Sequence, residues 1–395
     1  MYTGIKSNMA APSQGLFSWG ANSYGQLGIG NTTDKFIPQR VESFPSEAIK
    51  CIKGGGGHSV VVAKSGNVYV CGWNSKGQLG LGHRDNQLTF QKISGIPAIS
   101  DVSCGWEHTL AITENGKLYS WGGNNFRQLG HNQENLVETP KQVQAMADYT
   151  IVDIAAGLRH SVALTNTGKV WVWGAGSKGQ LGILIQGNIP SLIVAPQQVP
   201  LPNITVKQVA CGSFHSIAVT DDDKLMVWGC NKRGQLGELP YVPDTGEGTE
   251  NISQPKQLPS IAKNITRVIS GWNHCIIQTC DGSLFSWGRA DYGQLGRIPE
   301  VPMLASQPYA EGCCYIPKPV EFEEKASQIA CGSEHCLALT VNIHLYAWGW
   351  NEHGTCGDGS TTNVYTPKLV PDIEGWRAVL IGAGYGHCFI MCEQK

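Results

Sequence analysis

Short runs of alternating apolar and polar residues, cut by glycine-rich turns, recur along the whole chain. The stretch around residue 160 shows the unit. Residues 151–156 predict a first strand, and 160–165, which alternate, predict a second. Asn166-Thr167-Gly168 predicts a hairpin turn, with glycine supplying φ > 0. Residues 169–174 predict a third strand with Trp173 near its end. A proline-bearing segment such as 139–143 predicts an outer strand, where a missing N–H is tolerated. Four antiparallel strands in about 50–60 residues cannot bury both faces alone; stacking such units around an axis can.

Two motifs carry the repeat. W-G-x-x-x-x-G-Q-L-G begins at Trp19-Gly20, and its second residue recurs at Gly72, Gly122, Gly174, Gly229, Gly288 and Gly349. Cys71 stands in the tryptophan slot of the second copy, Arg127 replaces one core glycine, and Thr355-Cys356 replace Gln-Leu in the last. G-x-x-H supplies His58, His108, His160, His215, His274, His335 and His387. Seven copies of both motifs predict an all-β, seven-bladed β-propeller over residues 15–395. The chain opens on a Trp-Gly half-unit and ends on a His half-unit. These two predict one composite blade that clasps the ring, because unpaired they would leave two open edges. Residues 1–14 are expected to be a disordered lead.

Composition agrees and excludes several classes. There are 49 glycines in 395 residues, well above usual, without the triplet period of collagen. A net charge of −2 argues against a nucleic-acid binder. No apolar run is long enough for a membrane span, and residues 1–14 lack the apolar core of a secretory signal. The 14 cysteines are therefore expected as thiols; without a C-x-x-C pair, no zinc site is expected. The seven repeated histidines fall in different blades, so no metal cluster is expected among them either. They are read as scaffold, each imidazole donating to a neighbouring carbonyl. No cofactor loop or nucleophile–base pair is evident.

The motifs W-G-x-N-x-x-G-Q-L-G and C-G-x-x-H-S-x-A-L resemble the regulator of chromosome condensation (RCC1) repeat family from Leu16 to Cys392. Phe17–Gly28, Gly54–Ser59, Trp287–Arg297 and Trp348–Gly354 resemble a secretion-linked guanine nucleotide exchange branch of that family. The resemblance implies a protein partner engaged by one propeller face: a small Ras-type GTPase, a vesicle-tethering (exocyst-type) component, or both. It implies guanine nucleotide exchange or, alternatively, a non-catalytic secretion scaffold. It also implies a cytoplasmic, and in part nuclear, monomer. In the family's founding exchange factor, side chains between Gly and His contact the GTPase, and the turns before Gly-Gln-Leu-Gly share that face. The candidate positions are accordingly Trp106, Glu107, Arg159, Trp272, Asn273, Glu334 and Tyr385 in the first ring, and Asp291, Tyr292 and Glu352 in the second. Aromatics and arginine are common interface anchors. Plant ultraviolet receptors of this fold place arginine beside clustered tryptophans; Glu107 and Asn273 stand there instead, which argues against a light-dependent dimer. Insertions near 184–202, 239–259 and 298–319 are candidate binding loops, and no hairpin matching the founding factor's β-wedge is evident.

Overall fold

A computed structural model describes residues 14–132, 134–237, 251–298 and 312–395. Seven four-stranded antiparallel sheets form the blades of a propeller. Blades 1 to 6 span residues 49–92, 99–142, 151–198, 206–257, 265–319 and 326–369. Blade 7 joins Trp376–Ala383 and His387–Gln394 to Gln14–Gly20 and Lys35–Arg40. The clasp runs from Gln14↔Glu393 to Gly20↔His387 without a break in register. The composite blade expected from the two half-units is therefore present. Of the expected lead, only Gln14 is described, and it already belongs to a strand; residues 1–13 lie outside the described residues.

The strand after each histidine departs from simple alternation. In blades 1 to 6 all six of its residues are buried, as in His58–Ala63 and His160–Thr165. Each blade face is covered by a neighbouring blade, so the middle strands need apolar or hydrogen-bonded residues on both sides. The first strands, such as Ile151–Ala156, line a central channel. The third strand of blade 3 is Val170–Ala175 and its outer strand is Leu192–Gln198. The segment expected at 139–143 forms part of Leu136–Gln142, the outer strand of blade 2.

Outer-strand prolines sit at a break in register. Pro140 falls where the pairing shifts between Val137 and Lys141, opposite Trp121. The ladder needs no N–H at that point. Blade 1 replaces this Trp–Pro pair with Cys71 and Phe90, and Phe90 occupies the space beside Gly28.

The repeated residues weld neighbouring blades. Each Trp indole N–H donates to the carbonyl of the Gln-Leu turn in the preceding blade, as Trp173 does to Gln128 at 2.8 Å. Cys71 makes the same contact with Gln26 through its thiol. That carbonyl accepts a second bond from the residue after the next blade's histidine, for example Ser161 Oγ at 2.6 Å. Because these hydroxyls already donate, the imidazole Nε2 of the preceding blade must donate to them. His108 reaches Ser161 at 3.0 Å, His160 reaches Ser216 at 3.0 Å, and His387 closes the circle on Ser59 at 2.7 Å. The histidine partner is thus a hydroxyl or thiol of the next blade, not the carbonyl expected from sequence. Gly157 is required by close approach: a Cβ there would lie 2.2 Å from the His160 ring. The rings are wholly buried, and burial lowers His58, His108, His215 and His387 to about 3 and His160 to about 4.

Candidate functional site

The two rings of variable residues share one end of the propeller. The residue after each Trp-Gly pair donates its backbone N–H to the residue just before a histidine, as Arg289 does to the Asn273 carbonyl at 2.9 Å. This brings the Gly-x-x-His turn and the Trp-Gly turn of one blade side by side.

Three predicted residues meet although they come from blades 2, 5 and 7. The Trp106 ring lies 5.8 Å from Trp272 and 5.8 Å from Tyr385, and Trp272 lies 5.7 Å from Tyr385. Trp272 and Tyr385 also line the channel, a cavity of about 340 Å³. The aromatic cluster therefore caps the channel mouth instead of ringing an open pore. Trp73 extends the cluster outward, 6.3 Å from Trp106 and stacked 5.3 Å from Tyr24. The glycine run of blade 1 makes room for it. A Cβ on Gly56 would meet the Trp106 ring at 2.8 Å, and one on Gly57 would meet Tyr24 at 2.8 Å. Trp272 leaves its indole N–H buried without an acceptor among the described residues. Burial pushes the Tyr385 phenol well above its ordinary range.

A second group centres on Arg289. Its guanidinium contacts Glu334 at 3.1 Å and Asp291 at 2.7 Å, and lies 4.4 Å from the Tyr292 ring centroid. Gln294 donates to the buried Glu334 carboxylate at 2.7 Å, and Asn273 donates to it at 3.4 Å. Burial opposes the charge on Arg289, but Asp291 and Glu334 outweigh it and hold the guanidinium firmly protonated. Two of the acidic candidates thus share one guanidinium within the protein, and the trio keeps a net charge of −1.

The remaining candidates stand apart. Arg159 is exposed, with its guanidinium 4.1 Å from the Phe126 ring of blade 2. Glu107 is half-buried beside Gly123, and Glu352 is exposed; neither forms an ion pair among the described residues. Trp73 and Arg289 were not singled out from the sequence. Both occupy the slot after Trp-Gly (Cys71-Gly72 in blade 1), which varies between blades just as the chosen slots do, so the same criterion would have found them. Of the insertions, 184–202 carries exposed Ile185 and Ile189. Residues 239–250 and 299–311 lie outside the described residues.

The sequence model of the RCC1-like domain matches residues 15–390. The chain belongs to the RCC1-like domain family. This RCC1-like propeller is 41% identical to the secretion-regulating guanine nucleotide exchange factor of Mus musculus, over 96% of this chain and 83% of that protein. It is 30% identical to the ultraviolet-B receptor UVR8 of Arabidopsis thaliana, over 89% of this chain and 77% of that one. Among solved structures it resembles Prp20p of Saccharomyces cerevisiae, described with its binding properties to Gsp1p and histones. The TM-score is 0.83 at 27% identity, covering 98% of this chain and 92% of that one. Human WBSCR16 shares the fold at 24% identity, with a TM-score of 0.80 over 96% of this chain and 99% of that one. No helix among the described residues is long and apolar enough to cross a membrane.

Proposed function

We propose that this RCC1-like propeller docks a small Ras-type GTPase on the face carrying the aromatic cap, and there promotes release of its guanine nucleotide in a secretory role. The observation that carries the reading is its 41% identity, across nearly the whole chain, to a secretion-regulating guanine nucleotide exchange factor. The geometry supports it. Trp106, Trp73 and Tyr24 form a continuous aromatic track at one end of the ring, and such residues anchor protein interfaces. The task needs a broad contact rather than bond-making residues. A nucleotide held at picomolar strength is bound by about 16 kcal/mol, and the propeller must stabilise the empty GTPase comparably. Glu107 and Glu352 are the candidate carboxylates left to meet a cation on the partner, since Glu334 and Asp291 already face Arg289. The test is release of fluorescent GDP from a panel of small GTPases. Acceleration of at least one supports the reading, and none across a broad panel refutes it.

A second reading is a cytoplasmic scaffold that holds an exocyst-type tethering component without exchange. The engagement of Glu334 and Asp291 by Arg289 favours it, because two of the acidic candidates are already held within the protein rather than free to reach a cation on the partner. Binding of a partner with no effect on GDP release would select this reading.

A further inference from the structure

Blade 6 differs from every other blade at one pair of facing positions. The last residue of each channel-lining strand lies opposite the residue after the repeated histidine, as in Cys104↔Thr109 and Cys211↔Ser216. In blade 6 both are cysteine, Cys331↔Cys336, with the sulfurs 3.5 Å apart. His274 of blade 5 places Nε2 3.1 Å from Cys336 Sγ. The three donor atoms lie within 4.8 Å of one another. In a tetrahedral zinc site, with Zn–S of about 2.3 Å and Zn–N of about 2.0 Å, sulfurs stand ~3.8 Å apart and S–N pairs ~3.5 Å apart. Two of the three separations lie within ~0.4 Å of that geometry, and the third, between Cys331 Sγ and the His274 ring, is at most 4.8 Å and must close by no more than ~1.3 Å.

A second feature singles out the same histidine. Ligation through Nε2 leaves the ring proton on Nδ1, where a second group must accept it. Glu334 Oε2, which already accepts from Gln294, lies 4.0 Å from His274 Nδ1, beyond hydrogen-bond distance, and must close by about 1 Å to accept that proton. Among the repeated histidines, His274 is the one with a carboxylate at that nitrogen among the described ion pairs. Cys331 borders the channel cavity, which supplies an entry path.

We propose that His274, Cys331 and Cys336 form a binding site for a thiophilic d10 cation, zinc by its geometry, with a water or small ligand from the channel completing the tetrahedron. Binding releases the two thiol protons to solvent and replaces the His274–Cys336 hydrogen bond with metal bonds that tie blade 5 to blade 6. No sequence motif marks this site, because the ligands come from two blades and the cysteines are five residues apart rather than three.

The test uses the reduced, chelator-treated full chain titrated with Co²⁺ and then Zn²⁺. One Co²⁺ per chain is expected, with a near-ultraviolet thiolate charge-transfer band and visible bands of a tetrahedral site, bleached by Zn²⁺. Cys331→Ala copies the residue at that slot in blades 3 and 7 (Ala156, Ala383), and Cys336→Ser copies Ser59, Ser161 and Ser216, so other blades already tolerate both. Each is expected to weaken Zn²⁺ binding at least 100-fold, and Glu334→Gln about 10-fold. In the unmodified protein, Zn²⁺ is expected to shield the partly exposed Cys331 from iodoacetamide, read peptide by peptide. Absence of the charge-transfer band, unchanged binding in Cys331→Ala, or shielding confined to other cysteines would overturn the proposal.

Discussion

Lowering the pH from 7 to 5 is predicted to remove most of the stability of this propeller, and the ring histidines are the cause. Leaving aside His274 and His335, which border the Cys331–Cys336 pair, five remain: His58, His108, His160, His215 and His387. Burial holds their folded pKa at about 3 to 4, against 6.5 for the free side chain. The unfolded chain therefore binds protons below pH 6.5 that the folded ring cannot, so stability falls with pH until the folded values are reached. At pH 5 each histidine costs about 2 kcal/mol, and five cost about 10 kcal/mol. Asp153 acts in the opposite sense. Burial raises its carboxyl to about 6, so the folded state takes up that proton first and regains about 1 kcal/mol at pH 5. The net loss is comparable to the whole stability of a typical domain, about 5–15 kcal/mol. Urea unfolding followed by tryptophan fluorescence at pH 7, 6 and 5 measures it, with the midpoint expected to collapse toward zero at pH 5. His160→Gln keeps a donor for Ser216 but cannot titrate, so its pH slope should be shallower by about 1.4 kcal/mol per unit. Equal midpoints at pH 7 and 5 would refute the reasoning.

Three further outcomes are expected. Gly56→Val drives a side chain into the Trp106 ring; it should cost about 1–3 kcal/mol in urea unfolding and weaken partner binding by displacing the cap. Cys71→Trp alone should destabilise, because Phe90 fills the space, whereas Cys71→Trp with Phe90→Pro recreates the Trp–Pro pair of the other blades and should recover much of the loss; a double-mutant cycle showing no coupling contradicts this. Arg289→Met leaves the buried Glu334 carboxylate without its cation, at a cost of about 3 kcal/mol at pH 7 that Glu334→Gln in the same chain should relieve.

How far the sequence carried depends on the range of the interactions. Blade count, strand order and the clasp follow from local periodicity and from which half-unit stands at each end, and the structure has all three. The histidine's true acceptor was missed because it lies one blade away, and no single repeat displays inter-blade register. The residues chosen for the face lie at one end of the propeller, but their grouping was not legible. Trp106, Trp272 and Tyr385 are more than a hundred residues apart, and only ring closure brings them over the channel. The run Gly54–Gly57 was a trace of that cap, since two of these glycines are needed by rings from Trp106 and Tyr24. Arg289 removes two acids from the candidate set, through contacts that residue spacing does not reveal.

The aromatic-capped face is expected to engage a small GTPase and speed loss of its nucleotide. The direct measurement is the rate of fluorescent GDP release across a panel of small Ras-type GTPases, with the unmodified protein and with Trp106→Ala/Trp272→Ala matched for folded fraction. Acceleration of at least one GTPase by the unmodified protein is expected, with a loss of at least 10-fold in the double variant. Acceleration that survives unchanged in the double variant, or no acceleration of any GTPase, would contradict it.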